Sequence, residues 1–236
     1  MGRRKERLDA AVKELGGKAC SVVGDLCDDD SCKNAVKVAI QQLGGLDILV
    51  NNGGASTDSM LQKSTGAEVY HDALTLHVTS AATMVDEGLE QLLANKGAVV
   101  NVSSVAALIP SANWGIYGVV KAAQDKMTTN MAFMHAPKGL RVNSVLPGAI
   151  ATEALETMAA RNGVTMEEQN AKMAKFHAMK RVGHADEVAA AILFLSSNAS
   201  AFITGVQLPV DGGARLGYWL NDPENGVQVL PTEKKD

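Results

Sequence analysis

A chain of 236 residues, 46% of them hydrophobic and 20% charged, can bury one sizeable core and falls within the range of a single α/β domain. The formal net charge of −4 leaves no basic surplus to neutralise phosphates, which argues against nucleic acid or an anionic membrane as partner and for a small molecule. Cys20, Cys27 and Cys32 are odd in number and lack zinc-ligand spacing, so reduced thiols are expected rather than disulfides or a metal site. The charged start at Arg3-Arg4-Lys5 is followed by no apolar stretch of signal length, Glu6 breaks the myristoylation pattern that Met1-Gly2 would open, and no run is long enough to span a bilayer. The expected location is the cytoplasm.

Leu8, Ala11, Val12 and Leu15 repeat at helical spacing and stop at Gly16-Gly17, which predicts a short first helix. Ala19 to Val23 reads as a strand. Asp30 to Leu43 reads as a helix that turns Ala35, Val36, Val38 and Ala39 toward the core and ends at Gly44-Gly45. Asp47 to Val50 is an apolar run closed by Asn51-Asn52-Gly53-Gly54, the pattern of a buried parallel strand feeding a glycine-rich loop. Helical signals resume from Ala67 to Ala94 with a break near Val69 to Ala73, and Ala98 to Val102 is the next buried strand, ending at Ser103-Ser104. A loop with Pro110 and Trp114 leads into a helix from Tyr117 to His135. Leu140 to Leu146 is a strand ended by Pro147-Gly148, Thr152 to Lys180 a polar, methionine-rich stretch, Asp186 to Ser196 an apolar helix, and Gln207 to Val210 the last strand. Strands separated by helices of this length imply a parallel sheet with helices on both faces, which binds ligands at the carboxyl ends of its strands.

Tyr117 and Lys121 are four residues apart on one helix and so project from the same face. Ser104 stands at a strand end thirteen residues before Tyr117, Asn51-Asn52-Gly53-Gly54 follows an earlier strand, and Pro147-Gly148 follows a later one. In this order and spacing the residues resemble the short-chain dehydrogenase/reductase family, whose patterns are Asn-Asn-Ala-Gly, Ser, Tyr-x-x-x-Lys and Pro-Gly. The resemblance runs from Arg3 to Gly213. It implies a Rossmann-like doubly wound parallel sheet and an oxidoreductase that interconverts a secondary alcohol and a ketone with NAD(P), similar to 3-oxoacyl-carrier-protein reductases and sugar dehydrogenases.

The same resemblance assigns roles. Tyr117 is implied as general acid/base; its phenol starts from a pKa of about 10, and Lys121 supplies the charge that lowers it while also bonding the nicotinamide ribose. Ser104 holds the substrate oxygen. Arg3 matches the arginine that favours the 2′-phosphate, which prefers NADP to NAD, although a plain helix-start arginine reads the same way. Asp25 matches an adenine-contacting aspartate or caps the following helix. Asn52 and Gly53 line the adenine ribose, and Pro147, Gly148, Ile150 and Thr152 match the segment that holds the nicotinamide carboxamide.

The sequence departs from the family at two places. His77 occupies the position of an asparagine that helps bind a relay water; its ring either takes over those hydrogen bonds, fills the water's place, or is simply packed core. The chain also begins where the family's second strand ends, so the sheet is expected to lack the first strand and the Gly-x-x-x-Gly-x-Gly turn, as in a truncated form of a longer enzyme. Weak dinucleotide affinity and an exposed apolar sheet edge are the expected consequences. Met158, Met166, Met173 and Met179 suggest a flexible apolar lid or, equally, a packed surface helix. The resemblance further implies a homodimer or homotetramer built on the helices at 67–94 and 117–135; the tail from Ala214 to Asp236, with Tyr218 and Trp219 near its start, either covers a neighbouring subunit or frays at Lys234-Lys235. The rival reading is a catalytically impaired relative that serves as a structural or interaction protein.

Overall fold

The structure is a computed structural model that describes residues 1–55, 66–110 and 115–217. In chain order the elements are α1 (Lys5–Leu15), α2 (Asp29–Leu43), β1 (Ile48–Asn51), α3 (Ala67–Leu74), α4 (Ser80–Ala94), β2 (Ala98–Val102), α5 (Gly115–His135), β3 (Arg141–Pro147), β4 (Ile150–Ala151), α6 (Glu153–Asn162), α7 (Met166–Ala174), β5 (Gly183–His184), α8 (Ala185–Ser196) and β6 (Gln207–Val210).

The apolar runs behave as buried parallel strands. β1, β2, β3 and β6 pair in that spatial order, all parallel, with Val50 beside Val100, Val99 beside Val142 and Val145 beside Leu208. Because side chains alternate across a strand, successive residues feed two cores. Val99 and Val142 pack with Cys32 and Val36 of α2, Met84 and Leu92 of α4 and Ala132 of α5. Val100 and Val145 pack with Val188 and Leu195 of α8 on the opposite face. Helices therefore cover both faces of a Rossmann-like α/β sheet, as expected.

Local signals set the helix ends. Asp28 opens α2 by accepting a hydrogen bond from the Ser31 amide, and Gly44 closes it in the left-handed conformation, φ 87°, that a side chain disfavours. Within α2, Cys32, Ala35 and Val36 are buried and Val38 and Ala39 half-buried.

Three segments depart from the sequence reading. Ala19 to Val23 forms no strand: only Val23 pairs, in one parallel bridge to Gly2, with the Gly2 amide 3.1 Å from the Val22 carbonyl and the Gly24 amide 3.0 Å from the Gly2 carbonyl. A ladder needs a partner of similar length, and the chain enters α1 three residues after Gly2. The helical break expected near Val69 to Ala73 is regular helix; the irregularity lies at Thr75–Thr79, a π-helical turn joining α3 to α4. The methionine-rich stretch folds into α6 and α7, the latter opened by a Thr165–Glu168 capping box, and Met158, Met166 and Met173 are half-buried while Met179 is 61% exposed.

β1 is the edge of the described sheet, with Ile48 47% and Val50 39% exposed. Trp114, Tyr218 and Trp219, singled out in the sequence, lie outside the described residues. Among the described residues, no helix is long and apolar enough to cross a membrane, and no cluster of histidine, cysteine and acidic side chains could hold a metal ion.

Candidate active site

The carboxyl end of β2 delivers Ser103 and Ser104, and α5 crosses it. The Ser104 hydroxyl oxygen caps the short turn Val105–Ala107, accepting from the Ala106 amide at 3.1 Å, which fixes its side chain at the strand end. Tyr117 shares a side-chain hydrogen bond with Ser104. Burial pushes the phenol above its ordinary value of 10.0, and the bond to Ser104 opposes that shift.

One turn further along α5, Lys121 is 3% exposed. Its Nζ donates to the Val102 carbonyl at 2.8 Å and to Gln124 Oε1 at 3.0 Å, and lies 5.8 Å from the centroid of the Tyr117 ring. Burial pushes the ammonium down to about 8, against the pull of the Asp125 carboxylate. The lysine thus sits beside the phenol with a pKa close to neutral.

The π turn brings in the fourth residue, since one extra residue per turn re-aims a side chain that regular helix would place elsewhere. His77 is 2% exposed, 2.9 Å through Nε2 from the Ala55 carbonyl, and edge-on to Tyr117 with ring centroids 5.6 Å apart. A carbonyl only accepts, so Nε2 carries the hydrogen and Nδ1 is left as an acceptor, buried and without a partner among the described residues. Burial and the nearby Lys121 ammonium push His77 down to about 4, while the Ala55 bond opposes them, so the ring is neutral. Gly54 makes room for it: a Cβ there would stand 2.7 Å from His77 Cε1.

Asn52 and Gly53 line a cavity of about 230 Å³ together with Leu49, His77 and Gln124. Beneath it, Asn51 Nδ2 donates to Asn101 Oδ1 at 2.8 Å and Asn101 Nδ2 to Thr128 Oγ1 at 2.8 Å, a buried chain tying β1 and β2 to α5. Pro147 ends β3, and a Cβ on Gly148 would stand 2.6 Å from His177 Nε2. Ile150 borders a second cavity of about 220 Å³, with His177 and Asp211 among its walls. Thr152 precedes α6, its hydroxyl donating to the Ile150 carbonyl at 3.3 Å.

Arg3 and Asp25 meet each other, Nη1 to Oδ2 at 3.8 Å, with side chains 78% and 45% exposed. Asp25 does not cap α2. Its Oδ1 accepts from the Cys27 amide at 3.0 Å, and Asp28 performs the capping.

Ser104, Tyr117, Lys121 and His77 therefore converge, with Asn52 and Gly53 reaching them through the cavity wall at His77. Of Pro147, Gly148, Ile150 and Thr152, only Ile150 lines the second cavity, with Gly148 packed against its wall at His177 and Thr152 bonded to the Ile150 carbonyl, and Arg3 and Asp25 form a separate exposed pair. Sequence reasoning missed Gln124, Asp125 and His177. The first two carried a signal, being polar residues three and four places after Lys121 and so on its helix face. His177 meets Ala149 across 28 residues of chain and carried none.

This site has relatives. The family model described as enoyl-(acyl carrier protein) reductase matches residues 1–215. Glucose 1-dehydrogenase 2 of Bacillus subtilis is 33% identical over 207 residues, covering 87% of this chain and 78% of that protein. The chain belongs to the short-chain dehydrogenase/reductase family. Within this oxidoreductase family, glucose 1-dehydrogenase of Gluconobacter oxydans is 33% identical over 221 residues, covering 91% of this chain and 81% of its own. A short-chain dehydrogenase/reductase of unknown function from Caenorhabditis elegans, solved with cofactor, is 31% identical with a TM-score of 0.83, covering 91% of this chain and 84% of that one. Carveol dehydrogenase from Mycobacterium avium, solved in complex with NAD, is 29% identical with a TM-score of 0.79, covering 89% of this chain and 79% of its own.

Proposed function

We propose that the chain is a nicotinamide-dependent oxidoreductase interconverting a secondary alcohol and a ketone, with Tyr117 as general acid/base. The observation that carries this reading is the hydrogen bond joining Ser104 to Tyr117 beside the buried Lys121 ammonium, at the carboxyl end of a parallel strand. The relatives named as glucose and carveol dehydrogenases support the alcohol/carbonyl class.

The residues fit a nicotinamide nucleotide at one end. Asn52 and Gly53 border the cavity of about 230 Å³ that reaches His77, and Ile150 borders the one of about 220 Å³ beyond β3, while Gly148 and Gly53 lack side chains that would strike His177 and Leu26. Pro147, Gly148, Ile150 and Thr152 would hold the nicotinamide end, Asn52 and Gly53 the adenine ribose, and Tyr117 and Lys121 the nicotinamide ribose. Arg3 prefers the 2′-phosphate of NADP over NAD, and Asp25 flanks the adenine. When bound, the nucleotide supplies or accepts the hydride.

The protein manages the proton. In reduction the Tyr117 hydroxyl gives its proton to the carbonyl oxygen while Ser104 holds that oxygen; in oxidation the phenolate takes the alcohol proton. The Lys121 ammonium stabilises the phenolate, offsetting the burial that otherwise raises the phenol. His77, neutral and with Nδ1 free to accept, stands next to the phenol ring as the hydrogen-bonding group on the relay side. We further read residues 1–236 as one dinucleotide-binding domain, working in the cytoplasm as a homodimer or homotetramer. Phe133 and Met134, 86% and 64% exposed near the end of α5, support self-association.

The test is to supply NADP⁺ or NAD⁺ with a panel of aldoses and secondary alcohols, and the reduced nucleotides with the matching ketones, and to follow the near-ultraviolet absorbance of the reduced nicotinamide. Turnover is expected, faster with NADP, with Arg3→Asp reversing the preference. No turnover with either nucleotide in either direction would overturn the reading.

A further inference from the structure

We propose that Asp125 is a positioning residue for the site, the buried counter-charge that keeps Lys121 protonated without touching it. The part concerning Tyr117 rests on the function proposed above; the part concerning Lys121 does not. Within one turn of α5 stand Lys121, Gln124 and Asp125, each 3% exposed. Two opposite charges buried on one helix face are costly singly and tolerable together.

The geometry keeps them apart. The Lys121 ammonium is held by neutral acceptors, the Val102 carbonyl and Gln124 Oε1, at 2.8 and 3.0 Å. Asp125 is held from the other side: Oδ1 accepts from the Ser144 hydroxyl of β3 at 2.9 Å, and Oδ2 is buried without a partner among the described residues. Two of the three ammonium hydrogens are thus engaged among the described residues, with the ammonium 5.8 Å from the centroid of the Tyr117 ring. A direct ion pair would draw the ammonium back along α5, whereas a carboxylate one turn away supplies charge without taking a donor.

The titratable groups acting on Lys121 are few. Among the described residues, Tyr117 faces it from α5, His77 faces it from the π turn and is neutral, and Asp125 is the carboxylate that raises it. β2 contributes only the Val102 carbonyl, followed by Ser103, whose hydroxyl donates to the Lys121 carbonyl at 3.3 Å. Removing the Asp125 charge therefore removes the opposite charge that raises Lys121 among the described residues. That lowers the proton affinity of Lys121, and with less ammonium present the Tyr117 phenol rises.

The test reads the lysine itself. The full-length protein, with isotope-labelled lysine side chains, is titrated by NMR, and Lys121→Arg identifies the resonance. In Asp125→Asn the Lys121 midpoint is expected to fall by about 1 pH unit or more, and in Asp125→Glu to return toward the wild-type value. In the wild type, the Lys121 resonance should also show a second inflection at acid pH coincident with protonation of Asp125, a measurement that needs no variant to fold. If turnover is present, the limb of the oxidation profile that reports Tyr117 moves to higher pH in Asp125→Asn. An unchanged lysine midpoint in Asp125→Asn, or a single inflection in the wild type, would overturn the proposal, whether or not the chain proves to be active.

Discussion

The imidazole of His77 stands edge-on to the phenol ring of Tyr117, centroids 5.6 Å apart and planes at 79°. That contact is possible because the π turn at Thr75–Thr79 swings His77 inward, where it is nearly sealed from water. A buried neutral histidine makes stability depend on pH. In the unfolded chain the ring titrates at its ordinary 6.5, and in the folded chain at about 4. Between those values the unfolded state binds the extra proton, so stability falls as pH drops through the window, by up to about 3 kcal/mol. Urea unfolding at the two ends of the window should show that loss in the wild type and a smaller one in His77→Asn.

Gly54 and His77 are packed as a pair. A methyl group at Gly54 would press on the imidazole at 2.7 Å from Cε1 and 2.9 Å from Nδ1. Gly54→Ala is expected to cost about 1–3 kcal/mol of stability by overpacking. In a His77→Ala background most of that cost should vanish, which a double-mutant cycle by chemical denaturation measures directly.

His177 ties the turn after β3 to the end of α7. Its Nε2 accepts from the Ala149 amide at 3.1 Å while Nδ1 donates to the Met173 carbonyl at 2.9 Å, so both ring nitrogens are used. His177→Leu leaves the Ala149 amide without its acceptor. The expected result is a stability loss of about 1–3 kcal/mol. A larger rise in KM for the nucleotide than fall in kcat should accompany it, since the 147–149 turn is the part released. Thermal unfolding beside steady-state kinetics checks both.

Much of the fold was legible because its signals are local. Ala98 to Val102 is a mostly apolar run between Gly97 and Ser103, Gln207 to Val210 is closed by Asp211-Gly212-Gly213, and each forms a strand within those bounds. Tyr117 and Lys121 announced a shared face through helical spacing alone. What depends on a distant partner was not legible. Ala19 to Val23 has strand composition but finds only Gly2 to pair with. The π turn changes no residue type, so the sequence places its irregularity six residues early. Asp25 and Asp28 are equally good helix openers by type, and only the fold decides that Asp28 faces the free amide of Ser31. The link from His177 to Ala149 rests wholly on the tertiary fold.

The most direct test of the proposed chemistry is the Tyr117→Phe variant, measured for nucleotide binding by fluorescence titration and for turnover on any substrate the wild type accepts. The variant removes one hydroxyl and keeps the ring that packs against His77, so the fold should survive, and the nucleotide should still bind through Lys121 and the other proposed contacts, with a loss of affinity far smaller than the loss of turnover. Turnover should fall by about 10²–10⁴-fold, the contribution of a positioned acid/base. Turnover within a few-fold of wild type in a variant that still binds nucleotide would contradict the assignment of Tyr117 as proton donor and acceptor.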